Sequence, residues 1–337
     1  MSYAQPVDPG YTAVPPKKKR RFGVGRFIGL LVLLFVLMLI CVPLFAWGKI
    51  TKIDAMPSGD RPADTPGTTY LMVGSDSREG LSAEDKKKLG TGSTEGRRTD
   101  TIMLMHVPAS GGPTALISLP RDSYVPIPGH KRNKINAAFS IGGPKLLTQT
   151  VEGVTGLRVD AYVEIGFGGF VDIIDGVGGI NLCLPKAIKD AKAHINLPAG
   201  CQDLDGPKAL GYVRARYFDP KGDLGRVERQ RQMIGAVAEK VAGPATFLNP
   251  LRYYNVLTSG AGALSVDEST GPIDLFRFAR GMKSVAGGKD GIQLTVPIAD
   301  TNFSTPGGGS AVKWDTEKAL ALFKSIKEDK TTGLSGT

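Results

Sequence analysis

The feature that most constrains this chain is a run of 21 residues without a charge, "FIGLLVLLFVLMLICVPLFAW", from Phe27 to Trp47. At about 1.5 Å rise per residue, a helix of that length matches a hydrocarbon core ~30 Å thick. A cleaved signal peptide is the alternative. Its apolar region is usually about 7–15 residues and ends in a small-x-small site. This run is longer and ends "LFAWGK", so the expectation is an uncleaved anchor. The "KKKRR" ahead of it, Lys17 to Arg21, predicts a cytoplasmic N-terminus and an extracytoplasmic remainder.

Charge is placed unevenly. Of the net +10, residues 1–26 carry six basic residues against one acid, leaving 36 basic and 31 acidic residues for the rest. So small an excess over the exported part argues against nucleic acid as a partner and for a local anion site. Residues 1–16 are polar and Pro-rich, and 1–26 read as a disordered cytoplasmic tail. Residues 48–67, with Pro57, Gly59, Pro62 and Pro66, read as a tether. The main domain is expected over 68–327, with 328–337 as a frayed tail. Cys41 falls in the span, whereas Cys183 and Cys201 both lie in the exported part, 18 residues apart. In an oxidising compartment they are candidates for one disulfide, two buried thiols being the alternative.

Three short apolar segments, "TTYLMV", "DTIMLMHV" and "TALISL", read as strands buried on both faces. "GGPKLLTQTVEGVTG" reads as a helix with Pro144 in its first turn and Gly156 at its stop. Residues 161–182 read as strand, helix, strand. "LDGPKALGYVRAR" suggests a short helix running into a strand. "GRVERQRQMIGAVAEKVA" is amphipathic, with Ile234, Val237, Ala238 and Val241 on one face. "GIQLTVPI" is a strand, and "DTEKALALFKSIKED" is a helix capped by Asp315. The alternation implies an α/β fold, an α-β-α sandwich around a central mixed sheet, behind one N-terminal transmembrane helix.

The candidate chemistry gathers at the ends of these elements. Asp76 follows the first strand and Asp100 opens the second. Two carboxylates at sheet ends can hold one hard cation such as Mg²⁺, although turn-forming aspartates give the same pattern. Arg78 and Arg98 flank them. Arg121 and Asp122 follow a buried strand, where α/β sheets gather ligands, or where a solvated ion pair would sit. The segment Tyr212–Gln232 holds Arg214, Arg216, Arg226, Arg229 and Arg231. Arg214 and Arg216 are two apart on the expected strand and would share a face. Arg226, Arg229 and Gln230 share a helix face, with Asp223 ahead of them. Arginines in the first turns of a helix oppose the macrodipole unless an anion is present. His106, His130 and His194 are scattered and read as structural. There is no phosphate loop and no G-x-S-x-G elbow.

Taken together, "GSDSR", "RTDTIML", "SLPRDSYV", "KINAAFSIGG", "GFVDIIDGVGGI", "LDGPKALGYVRAR" and "GDLGRVERQRQ" resemble the LytR-CpsA-Psr family of envelope phosphotransferases, in family order behind one anchor. The resemblance implies transfer of a glycopolymer from a polyprenyl-pyrophosphate carrier to the muramic acid 6-hydroxyl of peptidoglycan, with the lipid in an apolar pocket between sheet and helices. It implies Asp76 and Asp100 as Mg²⁺ ligands. Arg98, Arg121, Arg214, Arg216, Arg226 and Gln230 would meet phosphate oxygens, with Arg78 and Arg229 beside them and Asp223 orienting them. Asp122 or Asp100 would accept the acceptor's proton. A polyprenyl-pyrophosphate binder or pyrophosphatase would need the same arginines. A membrane-bound transcription attenuator fits less well, because the arginine-rich segment is expected outside.

Overall fold

The computed structural model describes residues 24–76, 99–215, 223–287 and 290–334, the side chains of Asp223, Leu224 and Val227 excepted. Arg78, Arg98 and Arg216 therefore lie outside the described residues, as does the tail before Val24. The chain divides into two units, one ending at Cys41 and one running from Val42 to the C-terminus. Helix α1 (Val24–Trp47) is long and apolar enough to cross a membrane.

The larger unit is built on a seven-stranded mixed sheet in the order β1-β12-β7-β2-β3-β4-β13. These strands are β1 (Thr51–Ile53), β2 (Thr68–Ser75), β3 (Thr99–Val107), β4 (Thr114–Ser118), β7 (Ala161–Ile165), β12 (Leu264–Asp267) and β13 (Gly291–Thr295). The apolar runs of β2, β3 and β4 are buried on both faces, as their composition requires. One face packs against α2 (Ile135–Thr155) through Phe139, Leu147 and Val151 and against α9 (Thr316–Lys327) through Phe323 and Ile326. The other meets α5 (Asp223–Ala242) and α8 (Pro272–Gly287) through Ile234, Phe278 and Met282. A third cluster gathers α3 (Phe167–Gly176), α4 (Gly206–Arg214) and the hairpin strands β8 (Ile180–Leu184) and β11 (Gly200–Leu204). The Cys183–Cys201 disulfide joins facing positions of that hairpin. The remaining described elements are the hairpins β5 (Tyr124–Val125) with β6 (Asn133–Lys134), β9 (Ile188–Asp190) with β10 (Ile195–Leu197), and β14 (Ile298–Ser304) with β15 (Ser310–Trp314), and helices α6 (Pro244–Leu248) and α7 (Pro250–Ala263).

Several boundaries differ from the sequence reading for physical reasons. Pro144 does not begin α2; the helix kinks at Gly142 and Gly143, where φ is −134° and 63°, and Pro144 opens its second half. Gly156 ends it at φ 67°, in the left-handed region. The stretch 48–67 is not a free tether. It adds β1 to the sheet edge, parallel to β12. The Asp267 carboxylate accepts from the Ala55 and Met56 amides at 2.9 and 3.1 Å, and Arg61 grips the buried Glu152 at 2.6 Å. Prolines prevent regular structure there without preventing packing. The expected frayed tail is likewise seated as far as it is described. Buried Asp329 accepts from the Ala109 and Ser110 amides and pairs with His106. Helix α5 lies between two clusters, Ile234 facing the sheet while Met233, Val237 and Val241 face the third cluster. A one-face pattern could not show that.

Candidate functional site

The sheet register sets the site. Strand β2 runs parallel to β7 and antiparallel to β3, and β4 is antiparallel to β3 and parallel to β13. One edge of the sheet therefore collects the C-terminal ends of β2, β7, β4 and β13 and the N-terminal end of β3. Gly74 pairs with Thr101 and Ser75 with Thr99, so Asp100 is the extra residue of a β-bulge. Bulges re-aim a side chain out of the ladder. Asp76 follows Ser75 at the same edge.

Arg121 leaves the end of β4 and donates through Nη1 to Asp100 Oδ1 at 2.5 Å. Arg226, in the first turns of α5, brings its Nη1 to 3.9 Å from the same oxygen. The Arg226 side chain is 3% exposed, against 20% for Arg121 and 28% for Asp100. Asp122 stands beside this pair, 3.5 Å from Arg121 Nε and 2.9 Å from Lys134 Nζ. Thus Asp100, Arg121, Asp122 and Arg226 form one connected charge cluster at the edge.

The other arginines of the segment divide. Gln230 and Arg229 are buried on the same helix face as Arg226, but Arg229 donates to the Ala215 carbonyl at 2.5 Å and so ties α5 to the end of α4. Arg214 does not lie on a strand. Asp205 caps α4 by accepting from the Lys208 amide, Pro207 fits its first turn, and Leu210 and Val213 are buried. The helix therefore runs on to Arg214, whose guanidinium stacks over Phe167 at 5.0 Å. Arg231, not a candidate, donates to Ser118 Oγ at 3.1 Å, to Thr295 Oγ1 at 2.6 Å and to the Leu294 carbonyl. It fastens α5 to the ends of β4 and β13. Burial pushes its guanidinium below its ordinary range. Lys134, also missed, lies within the quoted "KINAAFSIGG" and was legible there as a cation. Its pairing with Asp122 needed the β5–β6 hairpin to be seen.

A cation fits this donor set. No group of three or more His, Cys, Asp and Glu side chains with metal-holding geometry occurs among the described residues. Mg²⁺ does not require one, since it typically takes one or two carboxylates and completes its shell with water and phosphate oxygens. Asp76 and Asp100 offer such donors at one edge. Elsewhere, a polar cavity of about 480 Å³ is lined by Asp54, Arg61, Arg158, Asp160 and Asp267, and a second of about 380 Å³ by Asp175, Lys240 and Arg252.

The LytR_cpsA_psr family model matches residues 49–322. The probable cell wall biosynthesis protein LcpB of Corynebacterium glutamicum is 45% identical over 92% of this chain and 72% of its own length. The polyisoprenyl-teichoic acid–peptidoglycan teichoic acid transferase TagU of Enterococcus faecalis is 36% identical over 53% of this chain and 57% of its own. Among solved structures, a LytR-Csp2A-Psr enzyme from Actinomyces oris aligns with TM-score 0.63 at 23% identity, covering 82% of this chain and 96% of that one. TagT bound to LI-WTA aligns with TM-score 0.60 at 22% identity, over 82% and 99%. By the extent of the family match, and by a fold shared with these structures, the chain belongs to the LytR_cpsA_psr family.

Proposed function

We propose that this chain transfers a glycopolymer from a polyprenyl-pyrophosphate carrier to peptidoglycan, forming a phosphodiester to the muramic acid 6-hydroxyl. The observation that carries this reading is the cluster of Asp100, Arg121 and Arg226 at one sheet edge, in a chain related to TagU and LcpB. The pyrophosphate lies across this edge. Arg121 and Arg226 meet its oxygens with planar donors that suit phosphate. Arg226 acts from a nearly water-free position, where a fixed charge is worth more than in solvent. Asp76 and Asp100 would hold Mg²⁺, whose charge would offset that of the pyrophosphate.

The acceptor 6-hydroxyl oxygen attacks the phosphorus that carries the polymer. The bond from that phosphorus to the bridging oxygen breaks, and the polyprenyl phosphate leaves with the electron pair. With Asp100 held by Arg121, Asp122 is the carboxylate assigned to take the hydroxyl proton. Lys134 and Arg121 orient it. The basic run ahead of α1 supports a cytoplasmic N-terminus, with this chemistry beyond the membrane.

The test uses the full-length chain in vesicles with a polyprenyl-pyrophosphate-linked polymer, Mg²⁺ and peptidoglycan fragments. Polymer joined to the fragments by a phosphodiester is the expected product. Polyprenyl phosphate together with free, phosphate-ended polymer, and none on the fragments, would replace transfer with hydrolysis.

A further inference from the structure

The C-terminal end of α1, at Trp47, leads directly into the edge of the sheet that carries the candidate site. Strand β12 is antiparallel to β7, with Leu264 opposite Ile165, and β1 runs parallel to β12, with Thr51 opposite Ser265. Ile165 in turn lies beside Gly74. The N-terminal end of β1 therefore belongs to the edge that carries Asp76, Asp100 and Arg121. Only residues 48–50 separate Trp47, the last residue of α1, from Thr51. That length spans at most about 14 Å, and it is turned back further by bonds from the Lys49 amide to Ala46 and from the Ile50 amide to Trp47.

Beside this junction lie α6 and α7. Phe247, Leu248, Leu251 and Tyr254 are all exposed, Leu248 at 74% and Leu251 at 76%. Leu251 and Tyr254, three apart on α7, lie on neighbouring turns, and Leu248 ends α6 just ahead of them. The Tyr254 ring stacks on Phe45, with centroids 6.2 Å apart and planes at 18°. Phe45 belongs to the uncharged run that ends at Trp47, so Tyr254 sits at the depth where that run meets water. Lys49 and Lys52 lie over Phe45 and Trp47 at 5.3 and 4.7 Å, the pairing of rings and cations found at a membrane interface. Large apolar side chains exposed on two consecutive helices mark an interaction surface, and here the nearest apolar phase is the one that α1 would occupy.

We infer that α6 and α7 form a second membrane contact, with Leu248 and Leu251 set into the acyl boundary of the bilayer and Tyr254 at its headgroups. This contact turns the Asp100–Arg121 edge toward the lipid surface, so a lipid-borne pyrophosphate reaches it without leaving the membrane. The inference rests on α1 being the anchor and not on the chemistry of the site.

The experiment places a nitroxide at residue 251 or 248 of the full-length chain, through Leu251→Cys or Leu248→Cys in a Cys41→Ser background, reconstituted in phosphatidylcholine–phosphatidylglycerol vesicles. A label at 320, through Leu320→Cys on the exposed face of α9, is the reference. The inference expects labels at 251 and 248 to collide more with oxygen than with a water-soluble nickel chelate, and the label at 320 to do the reverse. Nickel-accessible labels at 251 and 248 would overturn it. Labels shielded from both reagents would also overturn it, because they would show a protein partner covering the patch.

Discussion

Strand β3 ends in two charge clusters of opposite character. At its C-terminal end, His106 sits between Thr69 Oγ1 and Asp329 Oδ1 at 3.0 Å each, and Asp329 also takes the Ala109 and Ser110 amides. Both residues are buried. At its N-terminal end, Asp100 stands in a bulge between Arg121 and Arg226 and keeps 28% of its side chain open. The first cluster closes the fold, with its carboxylate engaged by protein donors. The second keeps a carboxylate and a guanidinium open to solvent around a buried arginine, an arrangement that stabilises little by itself and suits an incoming anion. The difference lies in burial and ligand access, not in residue type.

Mutations should separate the two ends. The largest effect belongs to Arg226→Ala, which should lower transfer at least about 100-fold, as loss of a buried charge-stabilising donor does. Its melting temperature should stay close to wild type. Arg121→Ala should behave alike, and wild-type transfer by both variants would remove the cluster from the site. Next comes Asp329→Ala, which strands the His106 ring and two amides and should cost about 2–3 kcal/mol in denaturant unfolding. Its transfer rate per folded molecule should be unchanged. A loss of rate without loss of stability would erase the distinction between the ends.

Smaller effects sharpen it. Lys134→Met frees Asp122 on one side and should slow transfer about tenfold or less, with donor affinity kept. Equal loss of affinity would make Lys134 a phosphate ligand instead. The smallest effect is on pH. Burial pushes the His106 imidazole below its ordinary 6.5, outweighing the raising effect of Asp329. Burial alone would raise the Asp329 carboxyl, but the bonds from His106, Ser110 and Ala109 outweigh it and hold the group below its usual range. On acidification the unfolded chain therefore binds protons first, and this end's stability is complete above 6.5 and declines below it. Melting temperature should fall over that range in wild type and fall further in Asp329→Ala, which removes the raising effect on His106 and leaves burial.

The sequence disclosed much of the frame and part of the site. Apolar runs identified β2, β3 and β4, and a cap at Asp315 identified α9, because burial and capping are local properties. The motif residues Asp100, Arg121 and Arg226 could be picked as charges at element ends. Their meeting depends on a bulge and on strand order, which no local pattern carries. Arg214 lies on a helix and not on the expected strand because the cap at Asp205 starts a helix that runs through Tyr212 and Val213. The seating of residues 48–67 and of Asp329 was hidden because partners such as Glu152 and His106 lie far along the chain.

The most direct test of the central claim is a structure of the full-length chain with a polyprenyl diphosphate and Mg²⁺. The account predicts phosphate oxygens within hydrogen-bond distance of Arg121 and Arg226, with the cation between them and Asp76 and Asp100. A headgroup seated instead in the polar cavity beside Arg61 and Arg158, with the Asp100 edge empty, would contradict it.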